Sequence, residues 1–242
     1  MKLFKVVGKL LEKIFYQPRW RCVSCGKEIF DGEYFCGKCK KSLPFIQGAI
    51  CEHCGRQTVA NENYCSTCKN RLTATDKARS VFNYERPVNT LIRKAKYDNA
   101  RYLLGIFAEY LSAAYFKNGF NADALVFVPM TKKDLRRRGY NQTEILANKL
   151  SERINVPVID VLLKKRETKR QAGLSAERRK QNLTDAFAVT DKSAVAGKNL
   201  LIVDDVTTTG STAEAIAVKL KKAGAHTVSL LTVASVPPKD KY

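Results

Sequence analysis

Leu200-Leu201-Ile202-Val203-Asp204-Asp205-Val206-Thr207-Thr208-Thr209-Gly210-Ser211-Thr212 decides how the rest of the chain is read. Four apolar, partly β-branched residues predict a strand buried on both faces, too short and too uniform for an amphipathic helix. Two carboxylates follow at its carboxyl end, then hydroxyl side chains around one glycine. Ser211 and Glu214 have the spacing of a capping box, which predicts a helix starting there. Ala213, Ile216, Ala217, Leu220 and Ala223 keep helical spacing, and Gly224 stops the helix.

A strand ending in acids, a hydroxyl-rich turn and a helix start suit a phosphorylated sugar. The turn's N–H groups and hydroxyls can wrap a phosphate, and the helix dipole favours its charge. Asp204 and Asp205 would repel a phosphate but suit ribose hydroxyls, which donate to carboxylates, or a magnesium ion. A plain βα turn with surface acids also has an Asp-Asp pair; the run of hydroxyls directly behind this one favours the ligand.

Ile202 to Gly210 resembles the PRPP-binding motif of type I phosphoribosyltransferases. The resemblance implies that Asp204 and Asp205 are the catalytic pair, holding the ribose hydroxyls of phosphoribosyl pyrophosphate (PRPP) in the presence of Mg²⁺. It also implies that Val206, Thr207, Thr208, Thr209, Gly210, Ser211 and Thr212 bind the substrate, the turn taking its 5-phosphate.

The 242 residues carry 43 Lys+Arg against 23 Asp+Glu, a formal charge of +20. With 45% apolar residues this is a globular chain and not a disordered basic tail. The charge favours polyanions: nucleic acid, an anionic membrane surface or phosphorylated substrates. In residues 1–19, Phe4, Val7, Leu11 and Ile14 share a helical face, with lysines largely away from it. Such a basic amphipathic helix suits its own protein, a partner's groove or a membrane surface. Charges break its apolar run too often for a signal peptide or a span. With no other candidate span, a cytoplasmic protein is expected, with the inner membrane face as a further site.

All eight cysteines fall in four Cys-x-x-Cys pairs: Cys22/Cys25, Cys36/Cys39, Cys51/Cys54 and Cys65/Cys68. The segment is a repeat in which Gly26-Lys27 and Gly55-Arg56 follow corresponding cysteines. Two knuckles supply four thiolates at zinc spacing, and the absence of a secretory signal disfavours disulfides. Sequential pairing within each repeat is the simplest arrangement, with interleaved pairing as the alternative. Four protein ligands leave no open position, so one or two structural and not catalytic Zn²⁺ ions are expected. His53 lies inside a Cys-x-x-Cys as a spectator.

Cysteine vanishes after about residue 76. A strand is expected over Ala78–Tyr84, helices over 88–97 and 101–116, and strands over 124–129, 156–163 and 226–234. Asn141 with Glu144 can cap a helix running to about Ile154. Residues 131–182 hold 15 Lys+Arg and 6 Asp+Glu, a local excess that suits an anion or a nucleic-acid backbone. Tyr140 is the aromatic expected to stack on a base. Lys96 either faces the ligand or is solvated. Walker, dinucleotide-binding and zincin motifs are all missing.

Tyr84…Leu91-Ile92…Lys96-Tyr97, Pro129…Arg138-Gly139-Tyr140-Asn141-Gln142 and Thr168…Gln171…Arg178…Asn182 resemble the ComF-type competence proteins. By that resemblance Thr131, Lys132, Lys133, Arg137 and Arg138 belong to a pyrophosphate loop, and Gln171 and Arg178 to a mobile lid. The expected fold is α/β: a type I phosphoribosyltransferase-like, mostly parallel sheet with a hood, plus an N-terminal tandem zinc-ribbon module. The expected domains are a helix over 1–19, a double zinc ribbon over 20–75 and the transferase-like domain over 76–242. The resemblance implies import of single-stranded DNA during natural transformation, alongside a DNA-translocating ATPase or helicase. A phosphoribosyltransferase of nucleotide metabolism or salvage is the alternative, and the acceptor is open.

Overall fold

In the computed structural model, residues 21–58, 62–66, 68–69, 73–166 and 183–237 are described. The amphipathic segment 1–19 and the expected lid, with Gln171 and Arg178, lie outside them. The chain divides into two compact units between Leu43 and Pro44. The first cysteine tetrad thus belongs to one unit, and the second tetrad to the unit that holds the sheet.

In the first unit, the helix α1 (Gly37–Lys41) follows Cys36. Cys22, Ile29, Phe35 and Leu43 are buried, a core too small to hold the fold alone. In the second unit, β1 (Lys77–Asn83) leads to α2 (Val88–Tyr97), α3 (Tyr102–Lys117) and β2 (Ala124–Phe127). The short α4 (Lys132–Arg138) and α5 (Gln142–Ile154) come next. A small antiparallel pair, β3 (Leu162–Lys164) with β4 (Phe187–Val189), precedes β5 (Asn199–Thr207), α6 (Ser211–Lys222) and β6 (Thr227–Ser235).

Four strands form a parallel sheet in the order β1-β6-β5-β2. Successive strand residues point to opposite faces, and in β5 both faces are covered. Leu200 and Ile202 join Val126, Leu230, Ile216 and Leu220 in a core on the α6 side. The alternate residues Leu201 and Val203 are fully buried as well, which is why this strand reads as a continuous apolar run. Truncating a side chain so placed, as in Leu201→Ala, costs about 2–5 kcal/mol.

The expected helix over 88–97 is found at those bounds. Two expectations need correction. Residues 156–163 add no strand to the main sheet: only a bridge from Val158 to Leu125 touches it, and Leu162–Lys164 turns away to pair with β4. Likewise β5 does not stop before the acids. It runs through Asp204 and Asp205 to Thr207, because β6 continues to pair beside it as far as Ser235.

Candidate functional site

The register of the parallel strands builds the site. Phe127 of β2 lies opposite Val203 of β5, so the turn after β2 and the acids of β5 leave the sheet at the same edge. Ligand crevices of open α/β sheets lie outside the carboxyl ends of the strands.

Asp204 and Asp205 are neighbours in one strand and so face opposite sides of it. Asp205 is 5% exposed, and Lys96 Nζ, from the last turn of α2, lies 2.8 Å from its Oδ2. That contact is a buried ion pair, and the carboxylate keeps further lone pairs that Lys96 does not occupy. A ribose hydroxyl can donate to them. Asp204 Oδ1 accepts from the Asp205 backbone N–H at 2.8 Å. Burial, with the Asp205 charge beside it, pushes the Asp204 carboxyl up to about 8, Lys96 offsetting part of the effect. Burial alone would lower the Lys96 pKa, but the Asp205 charge outweighs it and holds the ammonium above the ordinary lysine range. The site thus sets one cation beside a buried acid, Asp205, and a half-buried one, Asp204.

The turn after β5 is pinned at its start, where Val236 N–H donates to Thr207 O at 2.9 Å. Thr208 and Thr209 are exposed, and Thr209 Oγ1 meets Ser211 Oγ at 2.7 Å. Gly210 is the N-cap of α6 with φ +73°, a backbone that favours glycine, and no side chain caps the helix. The expected capping box is therefore not formed. Glu214 reaches away from the helix start and accepts from Ala74 N–H at 2.9 and 3.0 Å and from Thr75 Oγ1 at 3.4 Å. The twelve-residue helix starts directly behind a hydroxyl-rich turn, and its first backbone N–H groups are donors that an anion can use.

After β2 the chain makes less of a loop than the sequence suggested. Thr131 is buried as the N-cap of α4: its Oγ1 accepts from Asp134 N–H at 3.1 Å and lies 2.9 Å from Asp134 Oδ2. Arg137 pairs with Asp134 at 2.8 Å, and Arg138 bonds Gln142 Oε1. Lys132 and Lys133 are exposed. Asn141 caps α5, accepting from Thr143 N–H at 3.1 Å, as its sequence position predicted.

Tyr140 is not the stacking aromatic. Its ring is buried, its hydroxyl bonds Ala95 O, and the Arg101 guanidinium covers its face at 4.2 Å. The exposed aromatic here is Tyr97, 68% accessible, with the Arg138 guanidinium 5.2 Å from its ring centroid. It directly follows Lys96, and its position in the last turn of α2 is the signal that sequence reasoning passed over.

The cysteines gather into two tetrads, Cys22/Cys25/Cys36/Cys39 and Cys51/Cys54/Cys65/Cys68, each with sulfurs within 4.8 Å of one another. Pairing is therefore sequential. Cys25 and Cys36 sulfurs are 3.8 Å apart and Cys54 and Cys65 sulfurs 3.7 Å, far beyond a disulfide bond. Tetrahedral zinc with Zn–S near 2.3 Å requires about 3.8 Å between sulfurs, so the donor set fits structural zinc. The knuckles repeat each other: Gly26 N–H donates to Cys22 O and Gly55 N–H to Cys51 O, both at 2.8 Å. His53 is not among the grouped ligands and lies 4.4 Å from the Tyr64 ring. Arg56, whose role the sequence did not reveal, is 5% exposed and donates to the sulfurs of Cys54 and Cys65 at 3.4 and 3.2 Å.

Comparison with known proteins agrees with this architecture. Residues 11–69 match the double zinc ribbon domain and residues 136–241 the phosphoribosyl transferase domain. Competence protein F of Haemophilus influenzae is 30% identical over 216 residues, covering 86% of this chain and 82% of that protein. DNA utilization protein YhgH of Shigella flexneri is 32% identical, covering 62% and 68%, and competence protein ComFC of Streptococcus pneumoniae 29%, covering 64% and 66%. The chain belongs to the family of competence protein F, ComFC and YhgH, with a double zinc ribbon and a phosphoribosyltransferase-like domain.

Proposed function

We propose that this protein handles single-stranded DNA during natural transformation and carries a retained site for PRPP with Mg²⁺. The observation that carries the sugar-phosphate part is the succession on one strand end: Asp204 and Asp205, the hydroxyl-rich turn, then an uncapped helix start. Asp205 accepts a ribose hydroxyl while Lys96 keeps its charge compensated. The 5-phosphate occupies the backbone N–H groups around Thr208–Thr212. Mg²⁺ supplies neutralisation of the pyrophosphate charge. Behind Thr131, the side chains of Lys132, Lys133, Arg137 and Arg138 supply the cationic flank of the same crevice. If transfer takes place, the nucleophile comes from the acceptor, so the protein needs only to orient the sugar and exclude water.

The DNA part rests on the family's competence and DNA-utilization members, the formal charge of +20 and the exposed Tyr97 beside Arg138. A basic groove with aromatic faces binds single strands with little sequence preference. A DNA-translocating ATPase or helicase is the partner that such a role requires. Among the described residues no helix is long and apolar enough to cross a membrane; we place the protein in the cytoplasm, with the inner membrane face as a further site. Calorimetric titration of PRPP with and without Mg²⁺ tests the site.

A further inference from the structure

The second cysteine tetrad lies directly against the turn assigned to the phosphate. At Gly210, a Cβ would fall 3.1 Å from Cys54 Cβ and 3.9 Å from its Cα. This approach is tight, so a side chain here would require Cys54 to shift by a few tenths of an ångström, and the positive φ strains one independently. The tetrad is also fastened to the sheet. A Cβ on Gly55 would meet the Arg79 backbone at 2.8 Å, so only glycine lets the knuckle sit flat on β1. Ala78 N–H donates to Glu52 O at 2.8 Å, and the Arg79 guanidinium grips the Glu52 carboxylate at 2.7 and 2.9 Å. The chain leaving the tetrad then returns to α6, where Glu214 receives Ala74 N–H and Thr75 Oγ1. Both Gly210 and the first turn of α6 are thus held by the second ribbon and its exit.

Charge would argue against this neighbour. Zinc with four thiolates carries net −2, an unfavourable presence beside a phosphate. Arg56 answers it. Its guanidinium is buried against the tetrad and donates to Cys54 and Cys65 sulfurs, halving that charge where the turn approaches.

We propose that the second tetrad is the floor of the phosphate turn, so that metal held by Cys51, Cys54, Cys65 and Cys68 sets the geometry of residues 207–212 and their capacity for a phosphorylated sugar. This deepens the PRPP reading and rests on it for the ligand, but not for the turn. The first tetrad belongs to the other unit, so the two metal sites, chemically alike, can be removed one at a time. Binding coupled in one direction is coupled equally in the other. PRPP must therefore retain the second metal as firmly as the second metal favours PRPP.

Two measurements on the full chain test this. First, amide exchange over 207–212 is compared in zinc-loaded parent, Cys51→Ser and Cys22→Ser proteins. Cys51→Ser should speed exchange there about tenfold or more while residues 200–203 stay slow, and Cys22→Ser should change neither segment. Equal exchange in parent and Cys51→Ser overturns the proposal, whether or not PRPP binds. Second, zinc affinity is measured by equilibrium competition with a chelator in Cys22→Ser, where only the second site is loaded. Saturating PRPP with Mg²⁺ should raise that affinity severalfold. If PRPP binds calorimetrically yet zinc affinity is unaffected, the coupling is wrong. If PRPP does not bind at all, the ligand assignment fails and the exchange experiment alone decides the floor. Should Cys51→Ser also loosen 200–203, the chelator experiment decides.

Discussion

Lys96 Nζ stands 2.8 Å from Asp205 Oδ2, joining the last turn of α2 to the strand that carries the acids. Both groups are largely buried, with side chains 20% and 7% exposed. Removing one partner strands the other charge in a poorly solvated place. Lys96→Met should lower stability by about 2 kcal/mol at pH 8, measured by urea denaturation. Lys96 holds its proton above the ordinary lysine range, so its contribution is complete below about pH 10 and is lost only as pH rises through the folded value. On the acid side the penalty in the variant should shrink, because Lys96 favours the ionised form of Asp204 and that carboxyl is protonated well below about pH 8 with or without the lysine. A penalty that is the same at pH 5 and pH 8 would show that the lysine acts only through packing.

Asp204 gives the ligand site a pH signature. Its carboxyl is raised to about 8, so the free protein keeps this proton at neutral pH. An unfolded chain would have lost it, and this group's contribution to stability therefore falls as pH rises from about 4 to about 8. A ribose hydroxyl bonds an ionised acceptor more strongly than a protonated one, so binding favours loss of the proton. Between pH 7 and 9, where a phosphate with second pKa near 6 is already ionised, PRPP affinity should rise and then level off above about pH 8. Calorimetry in buffers of different ionisation enthalpy should report proton release near pH 7. Proton uptake, or affinity falling with pH, would contradict this role for Asp204.

Freshly prepared reduced protein should contain about two zinc ions per chain. Because each tetrad is built from one repeat, Cys22→Ser should release one ion and Cys51→Ser the other. Metal analysis that finds both ions lost from either variant would mean the ribbons do not fold separately.

Much of this architecture was legible in the sequence. The cysteine repeat fixed the tetrads because metal spacing is a local property, and Asn141 was readable as a cap for the same reason. The apolar run at 200–203 announced a strand covered on both faces. What failed depended on distant partners. Glu214 has ideal spacing for a capping box, yet Ala74 and Thr75 claim it from 140 and 139 residues away. Tyr140 has a stacking residue's surroundings in sequence, but Arg101 and Ala95 enclose it. Residues 156–163 have strand composition, yet β4 draws the last of them off the main sheet. Arg56 occupies a basic position in the repeat, and only the fold shows it turned inward onto sulfur.

Single-stranded DNA should bind with steep salt dependence and little sequence preference. Replacing Arg136, Arg137 and Arg138 together with alanine should weaken binding and flatten the salt slope. Tyr97→Ala should cost about 1–3 kcal/mol of affinity with the slope unchanged, because stacking carries no counterion term. Tyr140→Phe, which keeps the buried ring, should leave DNA affinity as it is. Fluorescence anisotropy across a salt series separates these outcomes. A Tyr97→Ala protein with parental affinity would move the stacking surface elsewhere.

The central claim, a sugar-phosphate site at the end of β5 whose two acids bind the sugar and not DNA, is tested most directly by titrating PRPP with Mg²⁺ into parent and into Asp204→Ala/Asp205→Ala protein. Bonds from ribose hydroxyls to ionised groups contribute about 1.5–3 kcal/mol each, so the double variant should bind at least about tenfold more weakly. Its affinity for single-stranded DNA, measured in the same preparation, should hold level or rise slightly, since negative charge has been removed from a basic protein. Saturable parental binding that the double variant loses while keeping DNA is the predicted result; equal PRPP affinity in the two proteins would contradict the account.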